Sequence, residues 1–203
     1  MPDQPKAKTP RYHHGHLKEA LLEQALLLVT ERGVKGWSLR EVAKLLGVST
    51  AAPYKHFADK NELLATLAEN GFRLLMAMEE QADPSPDSGW EGVVARSMAY
   101  FDFGMEHPGY LDVMFDSLQM GPNPGLLQAA EASFRSLWEK IALAQGLPLQ
   151  EALETTQGWW ALTHGLSYLG NRQVLAAVAS DVPAREIALS RLKAFAKAAV
   201  FLR

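Results

Sequence analysis

The residues that most restrict this chain lie between Ser38 and Leu64, SLREVAKLLGVSTAAPYKHFADKNELL. Ser38 with Glu41, and Asp59 with Glu62, each form a capping box, in which two side chains satisfy free backbone N–H groups at a helix start. Between them Gly47 occupies a left-handed stop. Leu39, Val42, Ala43, Leu45 and Leu46 recur at helical spacing before that stop. Leu63, Leu64, Leu67, Phe72, Leu75 and Met78 do so after Asp59. Ser49 reads as the cap of a short helix in the middle. Starts and stops this closely set admit short helices joined by tight turns and leave no room for a strand.

The same grammar extends in both directions. From His16, Leu17, Leu21, Ala25 and Leu28, with Leu22, Leu26 and Val29, outline a leading helix that Gly33 ends. The stretch ADPSPDSG, residues 82–89, is the sharpest break. Helical runs resume beyond it and are punctuated by HPG at 107–109, GPNPG at 121–125, GLP at 146–148 and DVP at 181–183. No alternating strand pattern and no internal repeat appears. The expected fold class is all-α with about nine helices. Residues 1–15 are a flexible arm, 16–77 a small helix-turn-helix domain and 78–203 a larger helical domain.

A helix, a glycine-containing turn and a second helix is the arrangement that places its second helix in the major groove of DNA. On that reading the composition of the second piece has a purpose. Ala51 and Ala52 are small enough to let the backbone approach the groove floor. Thr50 offers a hydroxyl or a methyl to a base edge. Pro53 falls near the first turn, where a missing N–H matters least. Tyr54, Lys55 and His56 stand further along, where phosphates flank the groove. The pattern alone also suits any small helical bundle, so charge has to arbitrate. The net charge of −3 hides a split: residues 1–60 hold 10 Lys/Arg against 6 Asp/Glu, which leaves +4 there and −7 in the remainder. A basic head on an acidic body points to an acidic partner for the head.

Other classes find less support. With no cysteine there are no disulfides and no thiolate metal sites. The run His13-His14-Gly15-His16 lacks a neighbouring acid or thiolate to complete a metal site, so no metal is expected. No signal peptide, membrane-length apolar run, P-loop, dinucleotide fingerprint or serine elbow appears, and the chain reads as a cytoplasmic protein that does not enter membranes. An alternative is a small all-α enzyme or metal carrier that uses His107, His164 and Glu106.

Residues Leu17 to about Met76 resemble the DNA-binding domain of the tetracycline-repressor (TetR) family. The resemblance is carried by S-L-R-E-V-A (38–43), G-V-S (47–49), Y-K-H-F (54–57) and D-K-x-E-L-L (59–64). It implies a transcriptional regulator and not an enzyme: a repressor acting as a homodimer on palindromic double-stranded DNA, with no cofactor and an unidentified small-molecule effector. It also implies that Ser38, Arg40, Ser49, Thr50, Ala51, Ala52, Tyr54, Lys55, His56 and Lys60 lie at the DNA, with Val48 and Phe57 in the core. Pro53 departs from the leucine or similar residue often found before the tyrosine. The arm, through Lys6, Lys8, Arg11 and Tyr12, can reach a minor groove or the backbone.

The second part holds nearly all the aromatics. Its W-A-L-T-H-G segment, 160–165, is similar to a Trp–His–Gly signature of one TetR subclass. Leu153, Gln157, Trp160, His164 and Tyr168 share a helical stripe that mixes apolar bulk with hydrogen-bonding tips, as ligand pockets do. Residues 99–115 suggest a second wall. The expected effector site therefore draws on Tyr100, Phe101, Phe103, Met105, Phe115, Phe134, Trp138, Trp160, His164 and Tyr168, although each could equally be core. Ile187, Leu192, Phe195, Ala196, Ala199 and Leu202, with Leu162, Leu166 and Leu169, are the expected dimer face.

Overall fold

A computed structural model describes residues 16–121, 123–179 and 182–201. Its α-helices are α1 (Leu17–Arg32), α2 (Leu39–Leu45), α3 (Lys60–Ala82), α4 (Gly89–Glu106), α5 (Pro108–Ser117), α6 (Pro124–Gln145), α7 (Leu153–Asn171), α8 (Val174–Ala179) and α9 (Ala184–Phe201). Short 3-10 turns occupy Pro53–Lys55 and Leu149–Ala152, and no strand occurs among the described residues. The expected all-α architecture holds.

The helix ends follow the capping chemistry. Ser38 Oγ accepts the Glu41 N–H (3.3 Å), and Asp59 Oδ1 accepts the Glu62 N–H (2.9 Å). Neither box closes fully on its own cap residue. Glu41 turns to Arg32 (2.7 Å), and Glu62 accepts the Ala58 N–H. Gly47, at φ +68°, donates to the Lys44 carbonyl while Val48 donates to that of Ala43, the paired closure of a left-handed C-terminus. One break was not anticipated: α7 and α8 part at Arg172–Gln173, where Gln173 takes φ +59°.

At 23 residues, α3 is about 34 Å long and acts as the axle of the molecule. Its start meets α1, and its length packs on α4, α5 and α6. One apolar core joins Leu21, Val42, Phe57 and Leu64 of the head to Phe103, Leu111 and Met114 of α4 and α5. A second gathers Val93, Phe101, Ile141, Trp159 and Leu192. In the linker at 83–88, Asp83 is buried and residues 84–87 are exposed, and the first core draws on residues from both sides of it in the chain.

The expected dimer face is redrawn. Leu192, Ala196 and Ala199 of α9 and Leu166 of α7 are buried within the chain, and Ile187 and Leu162 pack against the second core. Phe195 and Leu169 stay exposed, and Leu202 lies outside the described residues. The alanines that suggested close approach to another copy instead let α9 settle onto its own α4 and α7.

Candidate functional site

After Gly47 the chain does not resume an α-helix. The Ala52 N–H donates to the Ser49 carbonyl (2.9 Å), Lys55 to Ala52 (3.2 Å) and His56 to Pro53 (2.9 Å), each spanning three residues. Pro53 has no N–H to offer the Ser49 carbonyl, so the first four-residue bond is missing and the backbone winds tighter. A four-residue bond appears only at the end of the turn, from the Phe57 N–H to the Pro53 carbonyl (3.0 Å). The expected recognition helix capped by Ser49 is therefore a bend followed by one 3-10 turn, with Ala52 at its N-cap and no side chain capping it. Pro53 and Phe57 face inward, and Phe57 is only 2% exposed. Val48, expected in the core, is half-buried.

The other side of this turn faces water. Ser49, Thr50, Ala51, Tyr54, Lys55 and His56 are exposed, Ala52 is half-buried, and Ser38 and Arg40 are exposed at the start of α2. Lys44, one turn beyond Arg40, joins the same exposed set and was missed as a candidate. Lys60 differs from the free cation expected. Its Nζ donates to the Trp37 carbonyl (2.7 Å) and lies 4.1 Å from the centre of the Trp37 indole. Burial lowers its pKa. Its first task is to tie the start of α3 to the segment before α2. The arm residues Lys6, Lys8, Arg11, Tyr12, His13 and His14 lie outside the described residues.

A second concavity, a cleft of about 470 Å³, opens in the larger half. Tyr100, Phe115, Phe134, Trp138 and Trp160 line it, as expected. His164 stands behind Tyr100, with Nδ1 2.9 Å from the Tyr100 hydroxyl. Burial lowers the His164 pKa, which favours the neutral ring, and burial followed by the Glu79 charge pushes the Tyr100 phenol upward.

Four expected lining residues lie elsewhere because a helix turns about 100° per residue. Phe101 joins the second core, where its ring approaches Gly170, and Phe103 joins the first core. Met105 is 41% exposed. Tyr168 is exposed too, with the Arg172 guanidinium 3.7 Å from its ring centre. Gln157 is likewise exposed, so the stripe on α7 is not a continuous pocket wall.

The third wall was missed. Phe72, Leu75 and Glu79 of α3 line the cleft, and Glu79 is buried. In the sequence Glu79–Glu80 reads as a solvated acidic pair, yet Glu79 follows Phe72 and Leu75 at steps of seven and four. That register marks the apolar face. Burial pushes its carboxyl up to about 8 against the pull of the Arg96 charge.

The enzyme alternative gains nothing from this geometry. His107 packs between Phe103 and Tyr110 at the joint of α4 and α5, and Glu106 is exposed. Among the described residues no group of three His, Asp or Glu side chains could hold a metal ion. Nor is any described helix long and apolar enough to cross a membrane.

Residues 21–67 match the family model of bacterial regulatory proteins of the tetR family, and residues 93–190 match that of the tetracyclin repressor-like C-terminal domain. The chain belongs to the TetR family. Its relatives include the uncharacterized HTH-type transcriptional regulator YobS of Bacillus subtilis (strain 168), 24% identical over 157 residues, which cover 76% of this chain and 79% of YobS. A solved protein of unknown function from Rhodococcus sp. RHA1 superposes with a TM-score of 0.78 at 30% identity, covering 94% of this chain and 98% of the other. The TetR-family regulator PfmR of Thermus thermophilus shares the fold, with a TM-score of 0.65 at 21% identity over 87% of this chain and 97% of PfmR. This TetR-family chain is a DNA-binding transcriptional regulator, with its helix-turn-helix in the first matched segment and its cleft bordered mainly by the second.

Proposed function

We propose that the chain is a repressor that binds a palindromic operator as a homodimer and is released when a small molecule enters the aromatic cleft. The observation that carries the reading is the exposed turn at 49–56. Small residues lead it, an aromatic and two basic residues follow, and Pro53 and Phe57 anchor it from behind. Thr50 and Ala51 would meet base edges; Ser38, Arg40, Tyr54, Lys55 and His56 would meet phosphates, which fix register. Ser49 and Ala52 would border the contact, and Lys60 would act from its tie to Trp37. The domain division at about residue 77 would lie within α3, which makes that helix the mechanical link between cleft and head. Phe72 and Leu75 line the cleft on the same rigid rod whose first turn is fastened beside the reading turn. Effector and operator must then weaken each other by the same factor.

The test is fluorescence anisotropy with DNA from upstream of the gene across a salt series. Binding should be tighter than to random DNA, and its logarithm should fall linearly with that of salt. Equal affinity for random DNA, or binding indifferent to salt, contradicts the reading.

A further inference from the structure

The aromatic cleft contains one buried acid that its surroundings do not pair. Glu79 is 8% exposed, lines the cleft, and makes no hydrogen bond or ion pair with any described residue. Its neighbours are arranged differently. Glu80 pairs with Arg96 (3.2 Å), and Asp83 pairs with Lys140 (2.5 Å) and Arg96 (3.6 Å). Both cations are engaged with other partners, although the Arg96 charge still reaches Glu79 without pairing with it. Arg96 also donates to Ser136 Oγ and to the Asp83 carbonyl, and Lys140 to Ser88 Oγ and the Ser85 carbonyl. Against three acids stand two cations, and Glu79 is the acid left over. Burying an unpaired carboxylate is costly, so the cleft by itself favours the protonated acid, and a cation placed beside it would supply the charge that the chain itself does not.

The walls around it suit a positive charge. Phe72 meets Phe115 edge-on at 6.0 Å, Phe115 lies 6.1 Å from Trp160, and Phe134 lies 6.2 Å from Trp160 and 6.3 Å from Trp138. Ring faces attract cations, most strongly when both partners are removed from water. His164, the nearest basic side chain of α7 to this wall, is held toward its neutral form by burial. At the rim, Arg135 pairs with Glu139 (3.4 Å), while Glu131 is exposed.

We propose that the cleft takes a lipophilic organic cation, with its positive centre beside the Glu79 carboxylate and its apolar body against the Phe72–Phe115–Trp160–Phe134 rings. This names the chemical class of the effector and rests on the reading of the cleft as the effector site. Binding would hold Glu79 in its ionised form and press α3 against α6.

Tetraphenylphosphonium and tetraphenylborate have the same shape and opposite charge, and triphenylphosphine oxide supplies a neutral control. Each is titrated into the full chain while tryptophan fluorescence is followed, since Trp138 and Trp160 line the cleft. The phosphonium should quench saturably and bind at least tenfold more tightly than the borate. Glu79→Gln should lower phosphonium affinity at least tenfold while leaving the phosphine oxide within twofold, and Glu79→Asp should retain the preference for positive charge. Borate binding as tight as phosphonium, or undiminished phosphonium binding by folded Glu79→Gln, overturns the proposal. The wild-type comparison decides even if the variant does not fold. A parallel anisotropy titration separates the two readings. Phosphonium binding through Glu79 with DNA still held would uphold the cation site and refute effector release. Failure to bind operator at all would refute the DNA reading and leave the fluorescence result standing.

Discussion

Gly47, Lys55 and Glu79 each carry one part of the account. Gly47 holds φ +68° at the turn into the reading segment. A side chain there is strained, so Gly47→Ala should destabilise the protein by about 1–2 kcal/mol, measured as a shift in the midpoint of chemical unfolding. Lys55 is exposed and placed for a phosphate. Lys55→Ala should weaken DNA binding about equally on all sequences and reduce the salt slope by about 1, whereas Thr50→Val should change sequence preference. Glu79 predicts a pH effect. Folded, it keeps its proton to about pH 8, whereas its ordinary value is 4.5. Between those values the folded state binds the more protons, so the stability tied to this group is complete below 4.5 and is lost as pH rises through 8. Glu79→Gln lacks that loss. Thermal melts should show the variant gaining on wild type as pH goes from 5 to 9, at roughly 2–4 °C per kcal/mol for a chain of this size. A constant difference across that range would contradict the buried, unpaired assignment.

At the scale of elements, what was legible in the sequence was whatever local chemistry decides. Ser38, Gly47 and Asp59 set their helix ends because a cap or a left-handed glycine acts within one turn. The class of the segment at 49–56 was not legible. Ser49 is a good cap, and local pattern does not reveal that, with the Pro53 N–H missing, the bonds from Ala52, Lys55 and His56 each span three residues. The aromatic segment 99–115 was legible only in part, for another reason: Tyr100 and Phe115 line the cleft, whereas Phe101, Phe103 and Met105 do not. Tyr100, Phe101 and Phe103 are chemically alike, and only the packing of α4 between two cores decides that the first faces the cleft and the others do not. The same limit hid the lock that joins α3, α4 and α6. Burial would raise the Asp83 carboxyl, but hydrogen bonds from Lys140 and Ser88 and the charges of Lys140 and Arg96 hold it below the usual range. Lys140 is 4% exposed. Lys140→Ala strands a buried carboxylate and should cost about 3–5 kcal/mol in chemical unfolding. A loss below about 1 kcal/mol would mean that the lock does not hold α6 to α3.

The whole molecule joins a basic reading head to an aromatic cleft through one unbroken helix. What remained illegible at this scale is the surface left for a second copy, because α9 spends its alanines and Leu192 on its own chain and leaves Phe195 and Leu169 outside. The central claim is that the turn at 49–56 enters the major groove twice, once from each copy. The chain has no cysteine, so Thr50→Cys creates a single attachment point for an iron chelate that cleaves nearby DNA. On the operator, the labelled protein should cut in two clusters about one helical turn, roughly 10 bp, apart. A chelate placed instead on exposed Val178 should give no such pair. Cleavage spread evenly along the duplex, or none from position 50, would contradict the account.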